Sequence, residues 1–167
     1  MKKTVLIFLF LCLVLAGCAS PSSVAYRNDI PAAEIADTAA AALAGSFREA
    51  DSDYLSDYVE LPAGLSDLTV RIATAGDRID EYGILHTDTA SAEGVRQLLL
   101  SYLAQSYERN RAFYDSYIPE ETSKLRDAQV RVYGDYVVYA ILSPAERNLF
   151  FRAVEERLQN TASGSSV

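Results

Sequence analysis

The stretch AQVRVYGDYVVYAIL, residues 128–142, constrains this chain more than any other. Val130 and Val132 alternate with polar neighbours up to Gly134-Asp135, and Tyr136 to Leu142 lead back as an apolar run. A two-residue Gly-Asp loop suits the primed turns, whose twist matches that of paired strands. The pattern predicts a β-hairpin and so an antiparallel sheet. A second hairpin is read upstream. In LTVRIAT, residues 68–74, Val70 and Ile72 alternate with Thr69 and Arg71, Gly76-Asp77 breaks the run, and EYGILHT, residues 81–87, supplies the partner strand.

Helical periods separate and flank the hairpins. Pro31 starts a first helix that runs to about Ala44, with Ile35, Ala39, Leu43 and Phe47 on one edge and Gly45 behind it. A short helical turn is expected at Asp53–Tyr58. Asp88 or Thr89 caps a long helix whose apolar face (Val95, Leu98, Leu99, Tyr102, Leu103, Ser106, Phe113, Tyr117) continues to Pro119. At about 28 residues it would be about 42 Å long. Ser143-Pro144-Ala145-Glu146 forms a capping box before a last helix with Leu149, Phe150, Ala153, Val154 and Leu158 on its buried side. The expected order is α-ββ-α-ββ-α. It describes a two-layer α+β domain, with an antiparallel sheet of two hairpins packed against the long central helix and the flanking N- and C-terminal helices.

The N-terminal region is of another kind. Lys2 and Lys3 precede an uncharged apolar run, Val5–Gly17, of 13 residues. A helix of that length reaches only about 20 Å, against a hydrocarbon core of roughly 30 Å, so it matches the core of a signal peptide and not a membrane span. The run closes on Leu15-Ala16-Gly17-Cys18, which resembles a bacterial lipobox. The resemblance implies diacylglycerol on the Cys18 thiol, cleavage after Gly17, and a bacterial membrane location facing the extracytoplasmic side. Two long acyl chains hold a protein stably, at about 0.8 kcal/mol per buried methylene.

Processing would remove Cys12 and two of the three lysines, leaving 13 basic and 23 acidic side chains and moving the formal charge from −8 to −10. That balance argues against nucleic acid as a partner, because phosphate binding rests on basic side chains. Residues 1–17 thus read as signal peptide and 18–29 as lipidated cysteine and flexible tether. Residues 30–158 read as one domain, and 159–167 as a disordered tail.

Taken in order, the lipobox, SDLTVRIATAG, DTASAEGVRQLLLSYLAQ, FYDSYIPEETSKL and VYGDYVVYAI resemble a family of uncharacterised bacterial lipoproteins known as domain of unknown function 4358 (DUF4358). The resemblance spans about Ala33 to Leu142 and implies an exported lipoprotein without assigned catalytic residues. Arg96, Arg109 and Arg111 stand on the long helix where members tend to carry lysine and glutamate.

The residues themselves offer little chemistry. His86 is the only histidine and is read as a surface residue at a strand end. Asp51 and Asp53 fit the first positions of a calcium loop, but Leu55 and Ser56 stand where an oxygen ligand and a glycine are required. Lys124 is read as solvated on a loop, and Glu120 and Glu121 as hydrated carboxylates past a helix end. No cofactor, catalytic or metal-binding motif is assigned. The unusual feature is tyrosine, 11 residues against six phenylalanines and no tryptophan. These rings are expected to fill the helix–sheet boundary with their hydroxyls in water. Tyr107, Arg109, Arg111 and Tyr114 form a candidate partner surface, because Tyr and Arg are enriched where proteins bind. The sequence favours a non-catalytic module that binds an envelope protein, a wall component or a small solute. The alternative is a carboxylate-dependent enzyme acting on a glycan, which needs two convergent carboxyl groups.

Overall fold

The computed structural model describes residues 25–159. The segment read as a signal peptide, Cys18 and the first part of the stretch read as a tether lie outside these residues, as does the expected tail beyond Gln159. The described chain forms α1 (Ala32–Ala40), β1 (Phe47–Glu49), β2 (Asp67–Ala73), β3 (Glu81–His86), α2 (Ala92–Tyr117), α3 (Pro119–Arg126), β4 (Gln129–Tyr133), β5 (Tyr136–Ile141) and α4 (Pro144–Gln159). The five strands make one antiparallel sheet in the order β1-β2-β3-β5-β4.

Both expected hairpins form, with Val70 opposite Gly83 in the first and Val132 opposite Val137 in the second. Gly134 takes φ of 60°, the left-handed geometry that the tight second turn requires. The capping box at the start of α4 also forms: the Glu146 amide donates to Ser143 Oγ at 3.4 Å, and the Ser143 hydroxyl donates to Glu146 Oε2 at 2.7 Å. Asp88 caps the turn into α2 by accepting the Ser91 amide at 2.9 Å.

The α+β class with its antiparallel sheet is as expected, but the layering differs. Helices cover both faces of the sheet. One core joins α1 and α4 to Tyr82, Ile84, Tyr136 and Val138; the other joins α2 and α3 to Leu85, Val137, Tyr139 and Ile141. The expected two layers are therefore three. The physical reason lies in β5, where every residue from Tyr136 to Ile141 is buried. An unbroken apolar run, unlike an alternating one, marks a strand covered on both sides.

Two local expectations are corrected and one is met. The first helix ends at Ala40, Gly45 reverses the chain at φ of 99°, and Phe47 reaches the core from β1, edge-on to Tyr82 at 5.1 Å. Asp53–Tyr58 forms the expected helical turn, with the Asp57 amide donating to Asp53 O at 3.1 Å and the Val59 amide to Leu55 O at 2.9 Å, and drops Leu55 into the core. The long helix buries nothing beyond Ser106, leaving Phe113 and Tyr117 57% and 72% exposed. At 26 residues and 1.5 Å each α2 is about 39 Å long, whereas six-residue β3 spans about 20 Å, so its last turns overshoot the sheet.

The described end of the tether is fastened. The Arg27 amide donates to Leu158 O at 2.9 Å, Asn28 donates to Asp135 at 3.3 Å, and the Ile30 amide donates to the Tyr136 hydroxyl at 3.0 Å. The chain thus enters the domain beside the β4–β5 turn. In the neighbouring strand this is the His86 end of β3, because His86 pairs with Tyr136 and Glu81 with Ile141.

Candidate functional site

Glu81 opens β3 on the face covered by α2 and α3, and it is 6% exposed. Three tyrosines from three parts of the chain converge on it. Tyr139 of β5 donates to Oε1 at 2.6 Å, Tyr102 of α2 to the same oxygen at 2.8 Å, and Tyr54 of the turn before β2 to Oε2 at 2.8 Å. Tyr139 can reach because its register partner is Gly83: a Cβ at Gly83 would overlap the Tyr139 ring. A glycine inside a strand often marks such a close approach.

Burial pushes the Glu81 carboxyl above its ordinary range, and the hydrogen bonds from Tyr139, Tyr54 and Tyr102 only partly pull it back. Burial and the nearby carboxylate together push Tyr54, Tyr102 and Tyr139 upward. The phenols therefore stay protonated and act as donors. No Lys, Arg or His among the described residues pairs with Glu81; its charge is met by hydroxyl dipoles alone.

The residue before it behaves oppositely. Asp80, 1% exposed, is paired with Arg78 and lies 2.9 Å from Lys124 Nζ. Lys124 also meets Glu121 at 2.6 Å, and Glu121 accepts the Ile79 amide at 3.0 Å. Arg78 continues to Glu146 of the capping box at 3.3 Å, so this network ties the β2–β3 loop to α3 and α4. Lys124 and Glu121, expected in solvent, are buried. The reason is α3, an unexpected helix that places them one turn apart over the β2–β3 loop. Glu120 is exposed, as expected of a hydrated carboxylate, whereas Glu121 is held by Lys124.

Above Glu81 is a cavity of about 210 Å³. Its walls are Tyr54, Tyr58, Tyr102 and Tyr114 together with Ile79, Leu125 and Ile141, and Ser106 and Asn110 are its polar members from α2. The rings are inclined to one another, with Tyr54 and Tyr58 5.6 Å apart at 62° and Tyr58 and Tyr102 5.7 Å apart at 54°. A wider hollow of about 380 Å³ shares Tyr54, Glu81 and Tyr114 with it and extends to Arg78 and Phe113.

The candidate surface read from the sequence is divided among different environments. Tyr114 lines the cavity, and Tyr107 is half-buried against the α2–α3 core. Arg109 is exposed with its guanidinium 5.4 Å from the centre of the Tyr58 ring, while exposed Arg111 pairs with Glu108 at 3.3 Å. The tyrosine hydroxyls, expected in water, bond within the protein at Tyr136, which donates to Ile30 O at 2.7 Å, as well as at Glu81. Glu81 itself was not singled out in the sequence, since an acidic residue at a strand start resembles a solvated end. The excess of tyrosine was the available signal. No family model matches the chain, and neither a curated protein nor a solved structure matches it.

Proposed function

We propose that this protein is a lipid-anchored bacterial envelope protein, held through Cys18 on the extracytoplasmic side, whose folded domain is a non-catalytic binding module for a small solute. Kinship with the lipoprotein family known as domain of unknown function 4358 belongs to the same proposal. The carrying observation is the tyrosine-walled cavity over Glu81, whose carboxylate oxygens are occupied by three protein hydroxyls. A carboxylate so engaged is held in place as a fixed feature of a binding surface. An acid/base pair on a glycan would instead need a second carboxyl facing the same space, roughly 5 to 9.5 Å away. Asp80 and Glu121 are bound to Lys124 in the neighbouring network. The anchor is supported by the Leu15-Ala16-Gly17-Cys18 motif, and no helix among the described residues is long and apolar enough to cross a membrane.

The test has two arms. Mass spectrometry of the chain from its native host is expected to find a diacylated N-terminal Cys18; an intact leader overturns the anchor. Thermal shift against a panel of small solutes is expected to show stabilisation that substitution of Tyr102 or Tyr58 abolishes. Turnover of a glycan that is lost with Glu81 would establish the enzymatic alternative.

A further inference from the structure

We propose that the cavity over Glu81 takes a small organic cation, of the ammonium or methylated-ammonium class; this deepens the binding-module reading and rests on it. The first ground is charge. Asp80 and Glu81 are consecutive and both buried, yet the protein supplies cations to Asp80 alone, through Arg78 and Lys124. Among the described residues no basic side chain pairs with Glu81, so its charge is offset either by the proton that burial favours or by a cation brought by a ligand.

The second ground is the walls. Tyr54, Tyr58, Tyr102 and Tyr114 line the space above the carboxylate, and the Tyr58 ring is inclined to those of Tyr54 and Tyr102. Aromatic faces carry negative quadrupole density, and cages of them with an acid at one side recognise alkylammonium groups. Tyr58 already attracts one cation, the Arg109 guanidinium 5.4 Å from its ring centre.

The third ground is what the cavity lacks. A sugar asks for many donors and acceptors, but Glu81 accepts from three tyrosines and the Asn110 amide nitrogen donates to Ser106 O at 2.9 Å, which leaves the Tyr58, Tyr114 and Ser106 hydroxyls and the Asn110 side-chain oxygen to meet it. An anion would find no basic side chain paired at Glu81 to receive it. A compact cation with an apolar surface asks little hydrogen bonding and meets both rings and charge.

The experiment uses the full chain, expressed in a bacterium and extracted in mild detergent, titrated calorimetrically with choline. Its uncharged carbon analogue dimethylbutanol and a set of neutral sugars are titrated in parallel. Choline is expected to bind, dimethylbutanol to fail at about tenfold higher concentration, Glu81→Gln to weaken choline about tenfold, and Tyr58→Leu about fivefold. Tyr58 is 40% exposed, so its variant keeps the test open should Glu81→Gln fold poorly. Equal binding of dimethylbutanol, or choline affinity unchanged in both variants, overturns the cation. Sugar binding without choline binding overturns the cation and leaves the binding module standing, whereas no binding of either kind overturns both.

Discussion

The Tyr139 ring lies across Gly83, its register partner in the next strand, and from there its hydroxyl reaches Glu81 Oε1 at 2.6 Å. The smallest residue of β3 thereby sets the position of the tyrosine that holds the site's carboxylate.

Gly83→Ala is accordingly expected to displace Tyr139 from Glu81. Overpacking a core costs roughly 1 to 3 kcal/mol, and a lost hydrogen bond to a charged group about 1.5 to 3. Urea denaturation is expected to show a loss of about 3 kcal/mol. A stability within 0.5 kcal/mol of the parent, on the scale of ordinary surface changes, would mean that the ring moves aside freely.

Glu81 makes a signed prediction about pH. Its folded-state carboxyl titrates above the ordinary value of 4.5, chiefly because burial disfavours the charge. Between that value and the raised one, the native state binds a proton that the unfolded chain has released. This group's contribution therefore increases as pH falls through the folded value and is complete below 4.5. Subtracting the Glu81→Gln stability curve from the parent's is expected to leave a difference that favours the parent increasingly on acidification. A difference of opposite slope would show that the hydroxyls outweigh burial.

Lys124→Met leaves Asp80 and Glu121 buried without the ammonium they share. Removing one partner of a buried pair costs about 3 to 5 kcal/mol, whereas replacing the whole set with neutral groups is often near neutral. Chemical denaturation of Lys124→Met against a combined Asp80→Asn, Glu121→Gln, Lys124→Met variant is expected to show the single change as the more damaging.

Tyr82 offers the reverse case. Its ring is wholly buried against Phe150 and Phe47, while its hydroxyl has no hydrogen-bond partner among the described residues. Burial pushes this phenol up to about 12. Tyr82→Phe removes the unsatisfied group and keeps the ring, so a gain of about 1 kcal/mol is expected in thermal or urea unfolding.

Much of the fold was legible where local chemistry decides local structure. The Gly134-Asp135 turn, the capping box of Ser143 and Glu146 and the Asp88 cap each act within a few residues. β1 and α3 were not legible: β1 has three residues, too few for a period, and α3 buries Glu121, Thr122 and Lys124, whose types suggest solvent. Phe47 carried the period of the first helix, and only the reversal at Gly45 assigns it to a strand. The site was hidden for a related reason. Glu81 gathers tyrosines 27, 21 and 58 positions away, and no local pattern encodes that meeting. The long-range determinant was present only as a surplus of one residue type.

The entry of the chain at the His86–Tyr136 end of the central strands has a consequence for attachment. Glu81 and Ile141 close the other end, about 17 Å along the strand. Under the proposed attachment, the lipid would be joined to the domain at the end of the sheet away from Glu81. A pull on the anchor would then enter the domain at the end farthest from Glu81 and its three tyrosines.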